Sequence, residues 1–272
     1  SLANPGGVIV DLEAIAKIAQ EAEVPLIVDN TMATPWLCRP FEWGADLVVH
    51  STTKFLSGQG NAMGGIVIDS GRFPWFGNAK YPSLSEPCPD YNGLTFAETF
   101  GDMAFTLYSH AVSLRDLGCT QSPMNAWITL NGVETLPLRM ERHVENAQKV
   151  AGFLQQHPSV EWVSYAGLSS SPYYQLAQKY LQGKAGSVFT FGIRGGYESG
   201  LRLLEKVELF SHVSNIGDSR SLILHPASTT HRQLSDEQRL IAGAGPEVIR
   251  LSVGIESAED LIADLEQALE GL

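Results

Sequence analysis

The sequence has 272 residues, of which 44% are hydrophobic and 18% charged, so it is long enough for one large globular domain or two smaller ones. The formal net charge of −12 argues against nucleic acid or an anionic membrane as the main partner. The three cysteines lie far apart and form no C-x-x-C pair, so the sequence indicates neither a zinc motif nor a disulfide framework. We therefore expect a cytoplasmic protein without a metal site.

Apolar residues at helical spacing predict a helix over residues 11–22, with Asp11 as its N-terminal cap. Three short apolar runs predict strands, at 24–28, 45–49 and 65–68. Helices that alternate with such strands are typical of a parallel α/β sheet, in which ligands bind beyond the carboxyl ends of the strands. Asp29 and residues 51–54 follow the first two predicted strands. We therefore expect both at the ligand-binding edge.

The pattern changes further along the chain. Residues 73–101 are rich in Pro, Gly and aromatic residues, which predicts a long ordered loop, and helical patterns follow over 102–156. The clearest of these is one long helix over 136–155. The remainder predicts an α+β arrangement, with strands at 160–165, 187–193, 221–224 and 248–253 and helices at 198–210 and 258–269. We expect a domain boundary near the start of the long helix, which divides the chain into 1–136 and 137–272.

Lys54 has neighbours that favour a chemical role. An isolated lysine after a strand is usually a solvated side chain, but the hydroxyls of Ser51 and Thr53 lie three residues and one residue before it. Such hydroxyls can bind a phosphate while the lysine forms a Schiff base with an aldehyde. Burial or a nearby cation lets a lysine lose its proton near neutral pH, as this chemistry requires.

Asp29 completes the pattern of a pyridoxal-phosphate (PLP) site. A carboxylate at the end of a strand often only caps a turn, but beside a pyridine nitrogen it keeps that nitrogen protonated, so that the ring accepts electrons from a carbanion. Asp29 and Lys54 both follow predicted parallel strands. The glycine-rich run at 58–65 offers a rival nucleotide-binding interpretation, but it fails the G-x-G-x-x-G test at Met63 and lacks a Walker lysine.

Three separated segments together resemble one known family. They are Val-Asp-Asn-Thr at 28–31, Ser-Thr-Thr-Lys at 51–54 and His-Pro-Ala-Ser-Thr-Thr-His at 225–231. In this order they are similar to the Cys/Met-metabolism PLP-dependent family of fold type I, and the resemblance covers essentially the whole chain. Other segments resemble the O-acetylhomoserine sulfhydrylase branch of that family, at 91–101, 114–119, 134–143 and 216–222.

The resemblance implies an α/β fold: part of the large parallel-sheet, PLP-binding domain at 1–136, and a smaller C-terminal α+β domain at 137–272. It implies that Lys54 is the Schiff-base lysine and catalytic base, that Asp29 contacts the ring nitrogen, and that Ser51 and Thr53 bind the phosphate. It further implies substrate-carboxylate contacts from three residues, which are Arg250, Ser214 and Asn215. A guanidinium suits such a carboxylate because its planar fork binds both oxygens.

The implied activity is γ-replacement, in which O-acetyl-L-homoserine and sulfide or a small thiol give homocysteine or methionine and acetate. The implied assembly is a homotetramer. The family also has an earlier segment, with a phosphate-binding turn and an aromatic residue that stacks on the cofactor, and no counterpart precedes Ser1. We therefore expect that a preceding segment is absent from this sequence.

Several alternatives stay open on the sequence alone. Within the family, methionine γ-lyase and cystathionine γ-synthase or lyase activities use the same residues. From another class, the chain is a non-catalytic PLP-binding or assembly subunit, which the absent earlier segment favours. A dehydrogenase is a third alternative, which the failed glycine fingerprint disfavours.

Overall fold

The computed structural model describes residues 1–272 and contains two β-sheets connected by helices. The strands are β1 (Ile27–Asp29), β2 (Leu47–Ser51), β3 (Gly65–Asp69), β4 (Val160–Ser164), β5 (Val188–Ile193), β6 (Ser211–His212), β7 (Leu222–Leu224) and β8 (Val248–Ser252). The helices are α1 (Leu12–Glu21), α2 (Thr34–Leu37), α3 (Pro82–Ser85), α4 (Phe96–Phe100), α5 (Ala104–Tyr108), α6 (Arg115–Leu117), α7 (Pro123–Glu134), α8 (Leu136–Gln156), α9 (Tyr174–Tyr180), α10 (Gly196–Lys206), α11 (Asp236–Ile241) and α12 (Ala258–Leu269).

The first sheet contains β1, β2 and β3 in that order. β1 and β2 run parallel, as the sequence predicts, whereas β3 pairs antiparallel with β2. The expectation of a wholly parallel sheet is therefore wrong at β3. The reason is a closed turn, because the backbone N–H of Thr52 donates to the carbonyl oxygen of Gly64 at 3.0 Å. The chain reverses there instead of crossing over the sheet, and a direct reversal gives an antiparallel neighbour.

The helix α1 forms as its sequence pattern predicts. Asp11 lies just before it, and its side chain accepts a hydrogen bond from the backbone N–H of Ala14 at 3.2 Å. This bond satisfies one of the free N–H groups at the start of the helix. Leu12 and Ala19 are buried on one side of α1, while most of its polar residues are exposed.

The aromatic segment that follows β3 builds a small core of its own. Its buried residues are Phe73, Trp75, Leu84, Phe96, Ala97 and Ala104. The rings of Trp75 and Phe105 stack with their centroids 5.7 Å apart. The predicted loop at 73–101 is therefore wrong in part, since it contains α3 and α4. Large aromatic side chains bury enough area to hold short helices that propensity alone would not sustain.

The second sheet has the strand order β4-β5-β8-β7-β6. Its pairs are antiparallel apart from β6 and β7, which run parallel. Every residue of the interior strand β5 is buried, as expected of a strand covered on both faces. This sheet with its helices is the α+β arrangement that the sequence predicts for the C-terminal part.

The long helix α8 connects the two halves of the chain. Met140, Ala147 and Leu154 recur every seven residues along one side and are fully buried. One hydrophobic core runs from Leu2 to Leu269 without a break at α8, so the predicted division into 1–136 and 137–272 stays a prediction. None of the helices, α8 included, is long and apolar enough to cross a membrane.

Candidate active site

Lys54 lies in a π-helical turn, Thr52–Leu56, that follows β2 directly; we call it the Lys54 turn. The backbone of Lys54 leaves the helical conformation, with φ −92° and ψ −128°. Its carbonyl oxygen accepts from the N–H of Gly58 at 2.8 Å, and the hydroxyl of Ser57 donates to the carbonyl oxygen of Thr53 at 3.1 Å. These bonds hold the turn closed, so the lysine side chain projects from a fixed backbone.

The amine of Lys54 reaches the C-terminal half of the chain. It donates a hydrogen bond to the side-chain oxygen of Asn215, whose main-chain oxygen accepts from Arg250 at 3.2 Å. Burial lowers the pKa of Lys54 below its usual value, and the Arg250 guanidinium lowers it further because two cations repel each other. Burial also lowers the pKa of Arg250, although a guanidinium stays charged in proteins. The site therefore destabilises the charged form of the Lys54 amine beside a permanent cation.

Lys54 and Arg250 share a cavity of about 360 Å³. Ser214 and Asn215 line it as well, as the sequence predicts, together with Asn4, Thr230 and His231. The structure thus brings Lys54 together with all three predicted substrate contacts. Their individual roles stay predictions.

Lys54 also lines a second cavity of about 600 Å³, and Asp29 and Ser51 are part of its lining. One oxygen of the Asp29 carboxylate accepts from the N–H of Thr31 at 2.9 Å, and its other oxygen has no partner within the chain. The hydroxyl of Ser51 is also free of protein partners. Thr53 differs, because its hydroxyl accepts from the N–H of Gly64 at 3.1 Å and donates to the carbonyl oxygen of Gly64 at 3.3 Å. A phosphate would have to share Thr53 with those bonds.

These residues fit the cofactor that the resemblance implies. PLP needs an amine for its aldehyde, a carboxylate for its ring nitrogen and hydroxyl donors for its phosphate. Lys54, Asp29 and Ser51 supply these groups along one cavity, and one oxygen of Asp29 and the hydroxyl of Ser51 are free of protein partners. The lowered pKa of Lys54 also suits an amine that must attack an aldehyde.

Sequence reasoning missed two residues of this region. Asn4 accepts a hydrogen bond from the Arg250 guanidinium at 3.2 Å, across 246 positions of the chain. Asn4 precedes Pro5 near the start of the chain, and a cis peptide bond joins the two residues. Arg139 donates to the carbonyl oxygen of Phe55 in the Lys54 turn at 2.8 Å. Nothing in the local sequence pattern marked Arg139 as different from its charged neighbours on α8.

Comparison with known proteins identifies the family of the chain. The profile of the family described as Cys/Met metabolism PLP-dependent enzyme matches residues 1–270. The chain belongs to this family. Its fold is correspondingly α/β and its family is PLP-dependent, so the predictions of fold class and cofactor are confirmed.

Individual members of the Cys/Met-metabolism family are similar over the full chain. An O-acetyl-L-homoserine sulfhydrylase of Leptospira meyeri is 50% identical over 100% of this chain and 63% of its own length. O-acetyl-L-homoserine sulfhydrylase 1 of Thermus thermophilus is 50% identical over 99% of this chain and 64% of its own length. The chain therefore spans slightly less than two thirds of these relatives.

A solved structure is also similar to the chain over its full length. A crystal structure from Campylobacter jejuni, described as an O-acetylhomoserine (thiol)-lyase, matches with a TM-score of 0.95 at 43% identity. The match covers 100% of this chain and 65% of that one. The Campylobacter protein carries N'-pyridoxyl-lysine-5'-monophosphate, which is a lysine joined to the cofactor.

Proposed function

We propose that this chain carries the lysine and the substrate-carboxylate site of an enzyme that converts O-acetyl-L-homoserine and sulfide, or a small thiol, into homocysteine, or methionine, and acetate. The observation that carries the proposal is the single cavity shared by the Lys54 amine and the Arg250 guanidinium, with Asn215 bonded to both. The relatives named as O-acetyl-L-homoserine sulfhydrylases support this substrate over the other activities of the family.

Four residues would hold the cofactor. Lys54 would bind its aldehyde carbon, the free oxygen of Asp29 would contact its ring nitrogen, and the hydroxyls of Ser51 and Thr53 would contact its phosphate. When bound, PLP supplies an electron sink for negative charge that develops at the substrate Cα. The carboxylate of Asp29 would stabilise a proton on the ring nitrogen, because opposite charges in contact favour the charged form of both groups.

Arg250 would orient the substrate by its α-carboxylate. Its guanidinium is already held by Asn4 and by the main chain of Asn215, each at 3.2 Å. A fixed guanidinium binds a carboxylate with less loss of side-chain entropy than a mobile one. Ser214 and Asn215 line the same cavity and would add polar contacts. A substrate held in this way presents its Cα towards the Lys54 side of the cavity.

Lys54 would move the protons of the reaction. As a neutral amine it takes the proton from the substrate Cα, and as an ammonium it later returns a proton. Its lowered pKa supports the first step, because burial and the Arg250 cation both make the neutral amine easier to reach. The hydrogen bond to Asn215 would hold the amine in place when no substrate is present.

The proposal extends to the setting of the enzyme. We infer a cytoplasmic homotetramer with small-molecule substrates and no nucleic-acid or membrane partner. The net charge of −12 supports the last point. Exposed apolar side chains on α7 support an assembly, since Met124, Trp127 and Leu130 are each more than 60% exposed.

Product analysis tests the activity. The chain, with PLP and O-acetyl-L-homoserine, is assayed with and without sulfide for homocysteine, acetate and 2-oxobutanoate. The proposal predicts homocysteine and acetate in equal amounts only when sulfide is present, and no turnover in Lys54→Ala. Formation of 2-oxobutanoate and ammonia as the main products would assign a γ-lyase activity instead. Turnover that survives Lys54→Ala would contradict the role of the lysine.

A further inference from the structure

The guanidinium of Arg139 lies against the Lys54 turn. It donates to the carbonyl oxygens of Phe55 and Leu56 at 2.8 and 3.4 Å, and to that of Gly132 at 2.7 Å. Its Nε donates to the hydroxyl of Thr135 at 3.1 Å. One side chain thus joins the end of the Lys54 turn to the end of α7.

These carbonyl oxygens need a donor from outside their own segments. The last carbonyls of a helical turn have no later backbone N–H to accept from. In the Lys54 turn, the N–H of Gly58 donates to the carbonyl of Lys54, and the chain then turns away through Gly58 at φ +82°. Phe55 and Leu56 are left without such a partner, and Arg139 supplies it. Its positive charge is also favourable at the carbonyl end of a helical segment.

The neighbouring glycines and backbone leave little room for the Arg139 guanidinium or the Lys54 turn to move. A Cβ atom on Gly58 would collide with the Arg139 guanidinium, and one on Gly132 would collide with the carbonyl oxygen of Leu56. Both glycines therefore allow α7 and the guanidinium to approach the backbone closely. Arginine suits the position because its five N–H donors lie in one rigid plane, whereas a lysine ammonium offers a single point of contact.

We propose that Arg139 is a positioning residue for Lys54: by fixing the backbone at Phe55 and Leu56, it sets the direction in which the lysine amine enters the cavity. The inference rests on the proposed role of Lys54 as the residue that binds the cofactor. Arg139 acts here through the backbone and does not enter the cavity that Lys54 shares with Arg250.

Reductive trapping tests the proposal without requiring turnover. The chain is mixed with PLP and treated with borohydride, which reduces the lysine–aldehyde adduct to a stable secondary amine. Peptide mass analysis then gives the extent of labelling at Lys54 relative to the exposed Lys149. The variants are Arg139→Ala and Arg139→Lys, with Arg142→Ala as the matched control because Arg142 is exposed on the same helix. Far-UV circular dichroism and thermal unfolding identify the temperature range in which each variant is folded.

Selective labelling of Lys54 is expected to fall about tenfold or more in both Arg139 variants while they remain folded, since displacement of a reacting group by about 1 Å costs up to 100-fold in rate. Arg142→Ala should label as the wild-type chain does. Added guanidinium ion at low millimolar concentration should restore part of the labelling in Arg139→Ala, where it refills the vacated position, and none in Arg139→Lys.

The results that would contradict the proposal can be distinguished from one another. Unchanged selectivity for Lys54 in folded Arg139→Ala would overturn the positioning role and reduce Arg139 to a stabilising residue. If Arg139→Ala is unfolded, unchanged selectivity for Lys54 in folded Arg139→Lys would also overturn the positioning role. Absence of selective labelling in the wild-type chain itself would overturn the proposed role of Lys54, and the inference with it.

Discussion

His143 on α8 gives a quantitative test of how tightly the active-site region is packed. Its ring is fully buried, its Nδ1–H donates to the carbonyl oxygen of Val253 at 2.7 Å, and its Nε2 has no partner. The ring also meets Phe55 of the Lys54 turn edge-on, with centroids 5.3 Å apart. Burial lowers the pKa of His143 from 6.5 to about 4, because the loss of solvation and the nearby Arg139 cation outweigh the opposing effects of the Val253 carbonyl and the Asp218 carboxylate.

The sign of the effect on stability follows from these two pKa values. Above pH 6.5 the histidine is neutral in both the folded and the unfolded chain, and stability does not depend on it. As the pH falls from 6.5 towards 4, the unfolded chain binds a proton that the folded chain still excludes. The free energy of unfolding therefore falls over this range, by about 3 kcal/mol at pH 4, since each pH unit corresponds to about 1.4 kcal/mol.

The assay is urea unfolding of the wild-type chain and of His143→Asn at pH 7, 5.5 and 4. The asparagine amide retains a donor for the carbonyl of Val253 but does not titrate. Carboxylates that titrate in the same range act on both chains, so they cancel in the difference. We expect wild type to lose about 3 kcal/mol more than His143→Asn between pH 7 and 4. Equal losses in the two chains would refute the reasoning, because the folded state would then accommodate the charged ring.

Three further changes have definite expected outcomes. Arg250→Gln should raise the pH midpoint of reductive trapping at Lys54, because the guanidinium is one cause of the lowered lysine pKa; an unchanged midpoint would assign the shift to burial alone. Asp264→Ala should lower the free energy of unfolding by about 2 kcal/mol, since the Asp264 carboxylate accepts hydrogen bonds from the backbone N–H groups of residues 208–210. A loss under about 0.5 kcal/mol would contradict this expectation. Gly217→Ala should lower the melting temperature, because Gly217 has φ +71° and a Cβ there would lie 2.8 Å from a backbone nitrogen of the Lys54 turn. An unchanged melting temperature would contradict the close packing of Gly217 against the Lys54 turn.

Local sequence patterns were sufficient to predict helices whose apolar residues recur at regular spacing and residues whose neighbours indicate a chemical role. The helix predicted at 258–269 matches α12 residue for residue, because its apolar residues recur at helical spacing. Lys54 and Asp29 could be selected because hydroxyls and strand ends surround them in the sequence. Their placement on one cavity follows from the parallel pairing of β1 and β2, which brings both strand ends to the same edge.

Those patterns could not predict contacts between residues that lie far apart in the sequence. The antiparallel direction of β3 depends on the hydrogen bonds that close the preceding turn, not on the composition of the strand. The helices α9 and α11 are short, so their periodicity is too weak to predict. Asn4 and Arg139 contribute through hydrogen bonds that span 246 and 84 positions, and no local spacing encodes such pairs.

The most direct test of the central claim is the visible absorption spectrum of the purified chain with added PLP, recorded beside that of Lys54→Ala. The account predicts a yellow absorption band in the wild-type chain that is absent from the variant, because the Lys54 amine with its lowered pKa forms the covalent link. The same band in Lys54→Ala, at equal intensity and with the fold intact, would place the cofactor on another lysine and contradict the account.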